Sequence, residues 1–488
     1  MQGPTPEPQF SSVADEQRCG TKIVATIGPA SEDRVIQLID AGMAVARINF
    51  SHGVDDDHRR RVEKIRTAAR LRGVPIGILA DIQGPKMRLG KLAGGELRLA
   101  RGQVVRLFEG ALSDELDLLP CNFLGFRGAL KVGDRVLLAD GVVELVTEAI
   151  DGDIVRARVR RPGPISDRKG VHMPDSYLAQ ELPTPQDRKH ISLAQELGVD
   201  FLGVSFVSRG EDMERIRDLA PKMMLVAKIE RRTALDNLKG IFEASDGIMV
   251  ARGDLGVETQ LEQLPLLQKT LIQEALKAGK FVITATEMLE SMIKASRPTR
   301  AEVTDVANAV LDGSDAVMLS AETAMGDYPI EAVQAMSRIA RAVETSQRYH
   351  ELPRVSFRQN EPTFSNATAL AAAQAAEALS IHRIICFTES GNTVRLLSRY
   401  RVNGEIIALT PNEKTLQEMT ILSHVRPILC ERETSLEDMM HEAQNLLLEQ
   451  RVCLHGEEVI FVAGVPPGVS RSTNVMKLHR IGEPARMH

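Results

Sequence analysis

Short aliphatic runs alternate with amphipathic stretches of helical period in two parts of the chain, residues 21–81 and 183–344. This alternation is typical of βα units that build a parallel sheet. The aliphatic runs predict eight strands: Lys22–Ile27, Ala44–Phe50, Ile76–Ile82, Phe201–Phe206, Met224–Lys228, Gly247–Ala251, Phe281–Thr286 and Ala316–Leu319. Helices follow them, among them Arg34–Ala41, Asp187–Leu197 and Pro265–Ala278. Eight successive βα units favour an α/β fold of the (β/α)8 TIM barrel type over an open sheet.

Two further segments depart from this pattern. Residues 85–182, between the third strand and its helix, show period-two patterning and Gly or Asp turns, which predict an inserted small β-barrel domain. Because βα loops rim the active face of a barrel, the insert is placed to act as a lid. Residues 351–488 predict a C-terminal doubly wound α/β domain of about five strands. The barrel domain then comprises residues 20–84 and 183–350, after an N-terminal tail of residues 1–19.

Composition narrows the class of protein. The chain has 488 residues, of which 43% are hydrophobic and 26% charged, as expected for a globular protein of two to four domains. A formal charge of -6 argues against nucleic-acid binding across the whole surface. The five cysteines are scattered, which fits a reducing compartment. The polar first eighteen residues resemble no signal peptide, and no apolar run is long enough to span a membrane, so we expect a cytoplasmic protein.

Polar residues follow several predicted strands where the barrel mouth is expected. Lys228 follows an aliphatic run, Glu230 lies two residues on, and Asp254 follows the next strand. Two carboxylates beside one ammonium suit a hard cation such as Mg²⁺, and a metal with a lysine facing one phosphoryl group is what phosphoryl transfer requires. A structural ion pair is the alternative for an isolated strand-end lysine. The three residues together favour the functional interpretation.

Other strand-end residues leave more than one interpretation open. Arg47 can bind phosphate or carboxylate oxygens, or form a salt bridge at the rim. Asn49, Ser51 and Asp81 can surround a monovalent cation, or cap loops. Arg88 can reach a nucleotide phosphate, and Thr286 can orient a water or hydroxyl.

The residues with candidate chemistry lie in stretches that resemble the pyruvate kinase family. The matching stretches are Thr21–Ser31, Arg47–Gly53, Ala227–Glu230, Met249–Val257, Thr284–Met292, Arg297–Thr299 and Ala309–Thr323. The resemblance runs from about residue 20 to the C-terminus, and the signature around Lys228 is its most specific part. It implies transfer of the phosphoryl group of phosphoenolpyruvate to ADP, giving pyruvate and ATP in glycolysis.

The resemblance also implies roles for individual residues. Glu230 and Asp254 would bind Mg²⁺ or Mn²⁺, Lys228 and Arg47 would hold the phosphoryl group, and Thr286 would lie beside the carbon that is protonated. The backbone at Ala251 and Gly253 would receive the substrate carboxylate. Nucleotide binding would fall to His52, Arg88, Lys169 and Asp140. The family is usually tetrameric, so a homotetramer is expected.

One turn departs from the K⁺-dependent members of the family. Those members read Asp-Thr-Lys-Gly-Pro-Glu after the third strand, whereas this chain reads Asp81-Ile82-Gln83-Gly84-Pro85-Lys86. Lys86 would supply the positive charge that K⁺ otherwise brings, so the resemblance to the K⁺-independent bacterial type predicts that K⁺ is not required. The alternative is a solvated Lys86 with K⁺ bound at Asn49, Ser51 and Asp81. Two smaller departures are Glu287, beside Thr286, and Met325, to which no role is assigned.

The C-terminal domain carries a second candidate site. A strand-to-helix turn contains Thr388, Ser390, Gly391, Asn392 and Thr393, whose hydroxyls and backbone N–H groups suit a phosphate. Ordinary N-capping is the alternative. In pyruvate kinases this loop binds phosphorylated effectors, so the resemblance predicts allosteric activation by a phosphorylated metabolite.

Two other functional classes make different predictions. A TIM-barrel aldolase would use Lys228 in a Schiff base and need no Mg²⁺, but Glu230 and Asp254 argue against it. A non-catalytic metabolite sensor would have a decayed barrel, yet every expected active-centre residue is present.

Overall fold

Eight parallel strands close into a barrel. The computed structural model describes residues 19–123, 125–176, 182–350, 363–466 and 473–485. The barrel strands are Lys22–Thr26, Met43–Asn49, Gly77–Ile82, Phe201–Val204, Met224–Ile229, Gly247–Ala251, Phe281–Ala285 and Ala316–Leu319, called the first to eighth strands below. Each pairs in parallel with the next, and the eighth pairs with the first. The predicted TIM barrel is confirmed.

Helices follow each strand and cover the outside of the barrel. They are Val35–Asp40, Asp55–Arg72, Pro185–Glu196, Gly210–Leu219, Arg232–Leu235, Leu238–Ala244, Arg252–Glu258, Leu264–Lys277, Arg300–Leu311, Ala321–Ala324, Pro329–Glu344 and Gln347–His350. Short 3₁₀ turns occur at Leu261–Gln263 and Glu290–Ile293. Across the described ranges, no helix combines the length and apolar character needed to cross a membrane.

The period of two along each strand decides which side chains point into the barrel. One set, which includes Ile23, Ala25 and Ile48, packs in the layer between strands and helices. The alternate set fills the lower interior with Val24, Val45, Leu79 and Val226. Two residues further along the same four strands come Thr26, Arg47, Asp81 and Lys228. The change from apolar to polar inward positions therefore falls at the carboxyl ends of the strands, where βα-barrel active sites lie.

In its described residues, the insert after the third strand is all-β apart from one short helix, Phe126–Ala129. Its strands are Glu96–Leu99, Val104–Glu109, Leu118–Cys121, Arg135–Leu138, Val143–Asp151, Ile154–Arg161, Gly163–Ser166 and Val171–His172. Six of them form one sheet, and Glu96–Leu99 pairs with Gly163–Ser166 in a separate ribbon. The predicted β insert is confirmed, with two sheets around one core rather than a single ring of paired strands.

The C-terminal segment forms a five-stranded sheet flanked by helices. Its strands are Arg383–Phe387, Glu405–Thr410, Val425–Leu429, Glu458–Gly464 and Thr473–Arg480, and its helices are Phe364–Ala378, Asn392–Ser398, Glu413–Glu418 and Leu436–Glu449, with a 3₁₀ turn at Met419–Ile421. The sequence pattern did not single out Val425–Leu429, because Pro427 interrupts it. The strand lies at the edge of the sheet, where proline is tolerated.

The C-terminal domain packs beneath the barrel, at the amino-terminal ends of the strands. Its Ala369, Ile384 and Met419 belong to the same buried cluster as Val24 and Val226. This packing covers the lower end of the barrel and leaves the opposite end, with its polar residues, for ligands.

A buried ion pair crosses this junction. Arg401 lies 3.0 Å from Asp315, which precedes the eighth strand. Asp315 also accepts hydrogen bonds from the backbone N–H groups of Val282 and Ser423, at 2.9 and 3.2 Å. The carboxylate therefore ties the C-terminal domain to two barrel strands.

Candidate active site

Asp81 joins the two cations predicted to hold a phosphoryl group. Arg47 donates to Asp81 Oδ2 from Nε at 2.9 Å and from Nη2 at 2.6 Å. Lys228 Nζ lies 3.2 Å from the other oxygen, Oδ1. Thr26 Oγ1 accepts from Arg47 Nη1 at 3.0 Å. The second, third and fifth strands thus hold a guanidinium and an ammonium on either side of one carboxylate that is 1% exposed.

Lys228 has two further partners. Its ammonium lies 2.9 Å from Glu230 Oε1 and donates to Ser205 Oγ at 2.8 Å. Ser205 in turn donates to the carbonyl of Ile82 at 2.7 Å. Glu230 Oε2 accepts the backbone N–H of Phe206 at 2.7 Å. The ammonium is therefore fixed in position by groups from three strand ends.

Burial and charge compete in setting the protonation of this centre. Burial alone lowers the pKa of Lys228, but the carboxylates of Asp81 and Glu230 outweigh it and raise the pKa above its ordinary value. Burial raises the pKa of Asp81, yet the charges of Lys228 and Arg47 bring it below the ordinary range. Lys228 is thus held as an ammonium, which suits charge stabilisation and disfavours Schiff-base chemistry, since that requires a neutral amine.

Glu230 and Asp254 have the donor chemistry of a magnesium site. Burial, followed by the nearby charge of Asp254, raises the pKa of Glu230 despite the opposing effect of Lys228. The negative charges of the two carboxylates repel each other, and a cation bound between them removes this repulsion. Within the described parts of the chain, no three metal-binding side chains come together. Mg²⁺ is commonly held by one or two carboxylates together with substrate oxygens and water, so these two residues fit that ion.

Asp254 also faces two side chains, one from the insert and one from the turn that leads into it. Lys86 Nζ lies 3.6 Å from Asp254 Oδ1, and His172 Nε2 lies 4.0 Å from the same oxygen. His172 Nδ1 is 3.7 Å from Glu258. His172 belongs to the last strand of the insert, so the insert reaches the barrel beside the candidate metal ligand. The sequence pattern did not single out His172, because its neighbours in space come from another domain.

Thr286 lies in a turn with an unusual backbone. Thr286 and Glu287 have φ values of 68° and 55°, in the left-handed region that β-branched residues rarely adopt. Thr286 Oγ1 accepts from the backbone N–H of Gly253 at 2.8 Å and donates to the carbonyl of Ala285 at 2.6 Å. Ala251 directly precedes the short helix that carries Gly253 and Asp254. The predicted substrate-binding backbone, metal ligand and threonine are therefore neighbours.

The residues of the predicted monovalent-cation region divide between two environments. Asn49 Oδ1 accepts the backbone N–H of Ser51 at 3.0 Å, which is the loop-capping alternative. Asn49 pairs with Asp81 across neighbouring strands. The ammonium of Lys86 lies 3.6 Å from Asp254 Oδ1 and 6.0 Å from the ring centre of Phe206. Lys86 is thus a fixed charge beside the candidate metal site, with a quarter of its side chain exposed.

Three of the four predicted nucleotide-binding residues come together in the insert. Arg88 forms a bridge with Gly170, next to Lys169, and donates to the carbonyl of Arg168 at 3.1 Å. A Cβ on Gly170 would lie 2.8 Å from the carboxylate of Asp140. His52 is exposed and follows the second barrel strand. It is the member of the set that the barrel, and not the insert, supplies.

The predicted effector loop lines a cavity of about 680 Å³ in the C-terminal domain, together with Arg432 and several glutamates. Thr388 Oγ1 accepts the backbone N–H of Gly391 at 2.9 Å, so capping accounts for that hydroxyl. Gly391 has a φ of 74°, which its lack of a Cβ permits. Thr393 bonds with Thr473. Ser390 and Asn392 contribute directly to the lining. Residues 467–472, which connect the last two strands of this domain, lie outside the described residues.

Comparison with known proteins identifies the relatives of this arrangement. A profile for "Pyruvate kinase, barrel domain" matches residues 18–333, and one for "Pyruvate kinase, alpha/beta domain" matches residues 366–479. The chain belongs to the pyruvate kinase family. A pyruvate kinase from Methylorubrum extorquens is 44% identical over 94% of this chain and 96% of its own length. One from Mycobacterium tuberculosis is 41% identical over 95% and 98%, and one from Sporosarcina psychrophila 39% over 95% and 80%. The predicted phosphotransferase class is confirmed.

Membership of the pyruvate kinase family also decides between the functional classes. An aldolase needs a lysine that loses its proton readily, whereas Asp81 and Glu230 keep Lys228 charged. A sensor with a decayed barrel is contradicted by the intact arrangement of Arg47, Lys228 and Asp81.

The sequence analysis did not single out Ser205. Ser205 directly follows the fourth strand, so the rule that selected polar residues at the other strand ends applies equally to it.

Proposed function

We propose that this enzyme transfers the phosphoryl group of phosphoenolpyruvate to ADP and then protonates the released enolate to pyruvate. The observation that carries the proposal is the centre in which Arg47 and Lys228 share Asp81, with Glu230 beside Lys228 and the charge of Asp254 acting on Glu230. In the transfer step the oxygen–phosphorus bond of the enol phosphate breaks, and a new bond forms to the terminal phosphate oxygen of ADP.

Lys228 and Arg47 act on the phosphoryl group as it moves between the two oxygens. Arg47 is buried, the Lys228 side chain is 12% exposed, and both are already oriented by Asp81, so little reorganisation is needed when negative charge shifts towards them. Glu230 and Asp254 would hold the divalent cation, which would supply positive charge to stabilise the negative charge that develops during transfer. The backbone at Ala251 and Gly253 receives the carboxylate of the substrate.

Thr286 serves the second half of the reaction, in which a proton reaches the methylene carbon of the enolate. Its hydroxyl is held between Gly253 and Ala285 at the side of the site next to the substrate-binding backbone. Arg88, Lys169, Asp140 and His52 bind the nucleotide, and movement of the insert over the barrel mouth excludes water that would otherwise hydrolyse the phosphoryl group.

A coupled assay for pyruvate tests this proposal. We expect pyruvate to form when phosphoenolpyruvate, ADP and Mg²⁺ are all present, and activity to disappear when Mg²⁺ is chelated. Borohydride with a carbonyl substrate should trap no adduct on Lys228. Absence of pyruvate formation under every effector condition would refute the proposal.

A second proposal concerns the monovalent cation: the enzyme does not require K⁺, because Lys86 supplies a fixed positive charge in its place. What supports it is the placement of Lys86, 3.6 Å from the carboxylate of Asp254. Activity should be equal in K⁺, Na⁺ and Tris salts at matched ionic strength. A large loss of activity without K⁺ would contradict it.

A phosphorylated metabolite acts as an allosteric activator through Thr388, Ser390, Gly391, Asn392 and Thr393, and the active form is a homotetramer. Support comes from the cavity that this loop lines and from the family to which the chain belongs. Sugar monophosphates, fructose 1,6-bisphosphate and AMP should be compared as activators in the same assay, with mass measured by light scattering. If none of them lowers the KM for phosphoenolpyruvate, activation through this loop is refuted, and a mass other than that of four chains refutes the tetramer.

A further inference from the structure

The turn that carries Thr286 is held in a conformation that its sequence does not favour. Two consecutive residues other than glycine, Thr286 and Glu287, have positive φ. For a β-branched residue this conformation is rare, and each such residue adds strain that the surrounding structure must oppose. A specific contact is therefore expected to hold the turn.

Arg252 makes that contact. Its Nη2 donates to the carbonyl of Thr286 at 2.7 Å and to the carbonyl of Glu287 at 3.0 Å, and its Nε donates to the carbonyl of Thr286 at 3.2 Å. Its Nη1 donates to Asp305 Oδ1 at 2.7 Å, which fixes the guanidinium from the other side. Arg252 is 7% exposed, so water competes little for these bonds.

We propose that Arg252 is a positioning residue for the protonation step: it holds the Thr286–Glu287 turn so that the Thr286 hydroxyl faces the substrate. The inference rests on the proposed role of Thr286. It follows from the fork of the guanidinium, which binds two successive carbonyls of one strained turn at once. The same residue begins the short helix that carries Gly253 and Asp254, so it couples the geometry of the turn to that of the substrate-binding backbone.

Arg252→Gln and Arg252→Lys separate this role from a simple ion pair with Asp305. Lysine keeps the charge and the bond to Asp305, but it cannot bind both carbonyls as a fork. If the turn matters, kcat should fall about 100-fold in both variants, as for a misplaced catalytic group, with the KM for phosphoenolpyruvate near the wild-type value. If the ion pair alone matters, Arg252→Lys should restore the activity, which would overturn the proposal.

The exchange of methyl hydrogens of pyruvate with deuterium from solvent, measured by NMR with ATP and Mg²⁺ present, reports the protonation step in reverse. Exchange should fall together with kcat in both variants, and adding Glu287→Gly to Arg252→Gln should recover part of it, because glycine adopts positive φ without strain. Arg217→Gln is the matched control, since Arg217 joins the carbonyl of Met223 to Asp246 near the amino-terminal ends of the fifth and sixth strands. It should exchange like the wild type.

The outcomes separate the two proposals. Normal exchange in Arg252→Gln overturns the role of Arg252 and leaves that of Thr286 intact. Exchange at the wild-type rate in Thr286→Val overturns the role of Thr286 and the inference with it. If Arg252→Gln does not fold, as judged by circular dichroism, Arg252→Lys provides the decisive comparison.

Discussion

Lys228→Met removes one ammonium from the barrel mouth and leaves an unbranched side chain in its place. The ammonium lies 2.9 Å from Glu230 and 3.2 Å from Asp81, and we take its separation from a bound phosphoryl group as about 4 Å. With an effective dielectric constant of about 20, a unit charge at that distance contributes about 4 kcal/mol. Since about 1.4 kcal/mol corresponds to a tenfold change in rate, kcat should fall about a thousandfold.

The same substitution also affects stability. Asp81 keeps Arg47 at 2.6 Å, and Glu230 keeps the N–H of Phe206 at 2.7 Å, but both lose a buried counter-charge. Removing one partner of a buried ion pair costs about 3 kcal/mol of unfolding free energy. Urea unfolding and circular dichroism should therefore show a folded but less stable protein.

Lys280→Met is the matched control for this experiment. Lys280 is a partly buried lysine that donates to the carbonyl of Ser245 at 2.6 Å, directly before the seventh strand and at the opposite end of the barrel from the candidate site. Burial lowers its pKa, so the loss of its charge should cost less stability than the loss of Lys228. Its kcat should stay near the wild-type value. The reasoning is refuted if folded Lys228→Met keeps more than about a tenth of the activity, since electrostatic stabilisation of this kind is worth far more.

Three further predictions address charge elsewhere. Lys86→Glu should reduce activity in Tris salts and regain part of it in KCl, and equal activity in both salts would show that Lys86 does not replace the ion. Asp315→Asn leaves Arg401 buried without its counter-ion and should lower the unfolding free energy by about 3 kcal/mol in urea titration; a loss below about 1 kcal/mol would show that the pair does not join the domains. Burial lowers the pKa of His424 to about 4 from its ordinary 6.5, so between these pH values the histidine binds a proton in the unfolded chain but not in the folded chain. Stability should fall as pH falls from 6.5 towards 4, and His424→Gln should flatten that slope in thermal unfolding.

Much of the candidate site followed from two regularities of the sequence. Side chains alternate along strands, so Val226 and Lys228 share the inside of the barrel, and active sites of such barrels lie at the carboxyl ends. These rules, with the family resemblance, placed Arg47, Asp81 and Glu230 at the mouth of the barrel. They did not indicate that Asp81 lies between Arg47 and Lys228, because the order of the strands along the sequence does not give the distances between side chains inside the barrel.

Other features had no local signal. Val425–Leu429 contains a proline, which argues against a strand unless the strand lies at an edge, and the edge is known only from the sheet. The strain at Thr286 and Glu287 is likewise invisible in the residue types, which do not favour positive φ. In the sequence, Arg252 is an arginine that directly follows a strand, and nothing in its residue type indicates which groups it contacts.

The sequence alone determined the barrel, the β insert, most of the C-terminal sheet and the chemical type of the site, because periodicity and strand-end polarity are local properties of the chain. Tertiary structure decided which charges meet. Lys86 and His172 converge on Asp254 from separate segments, and Arg401 reaches Asp315 across a domain junction. Such contacts depend on how distant segments pack, and electrostatic interactions change steeply with distance and burial, so packing alone gives these charges their roles.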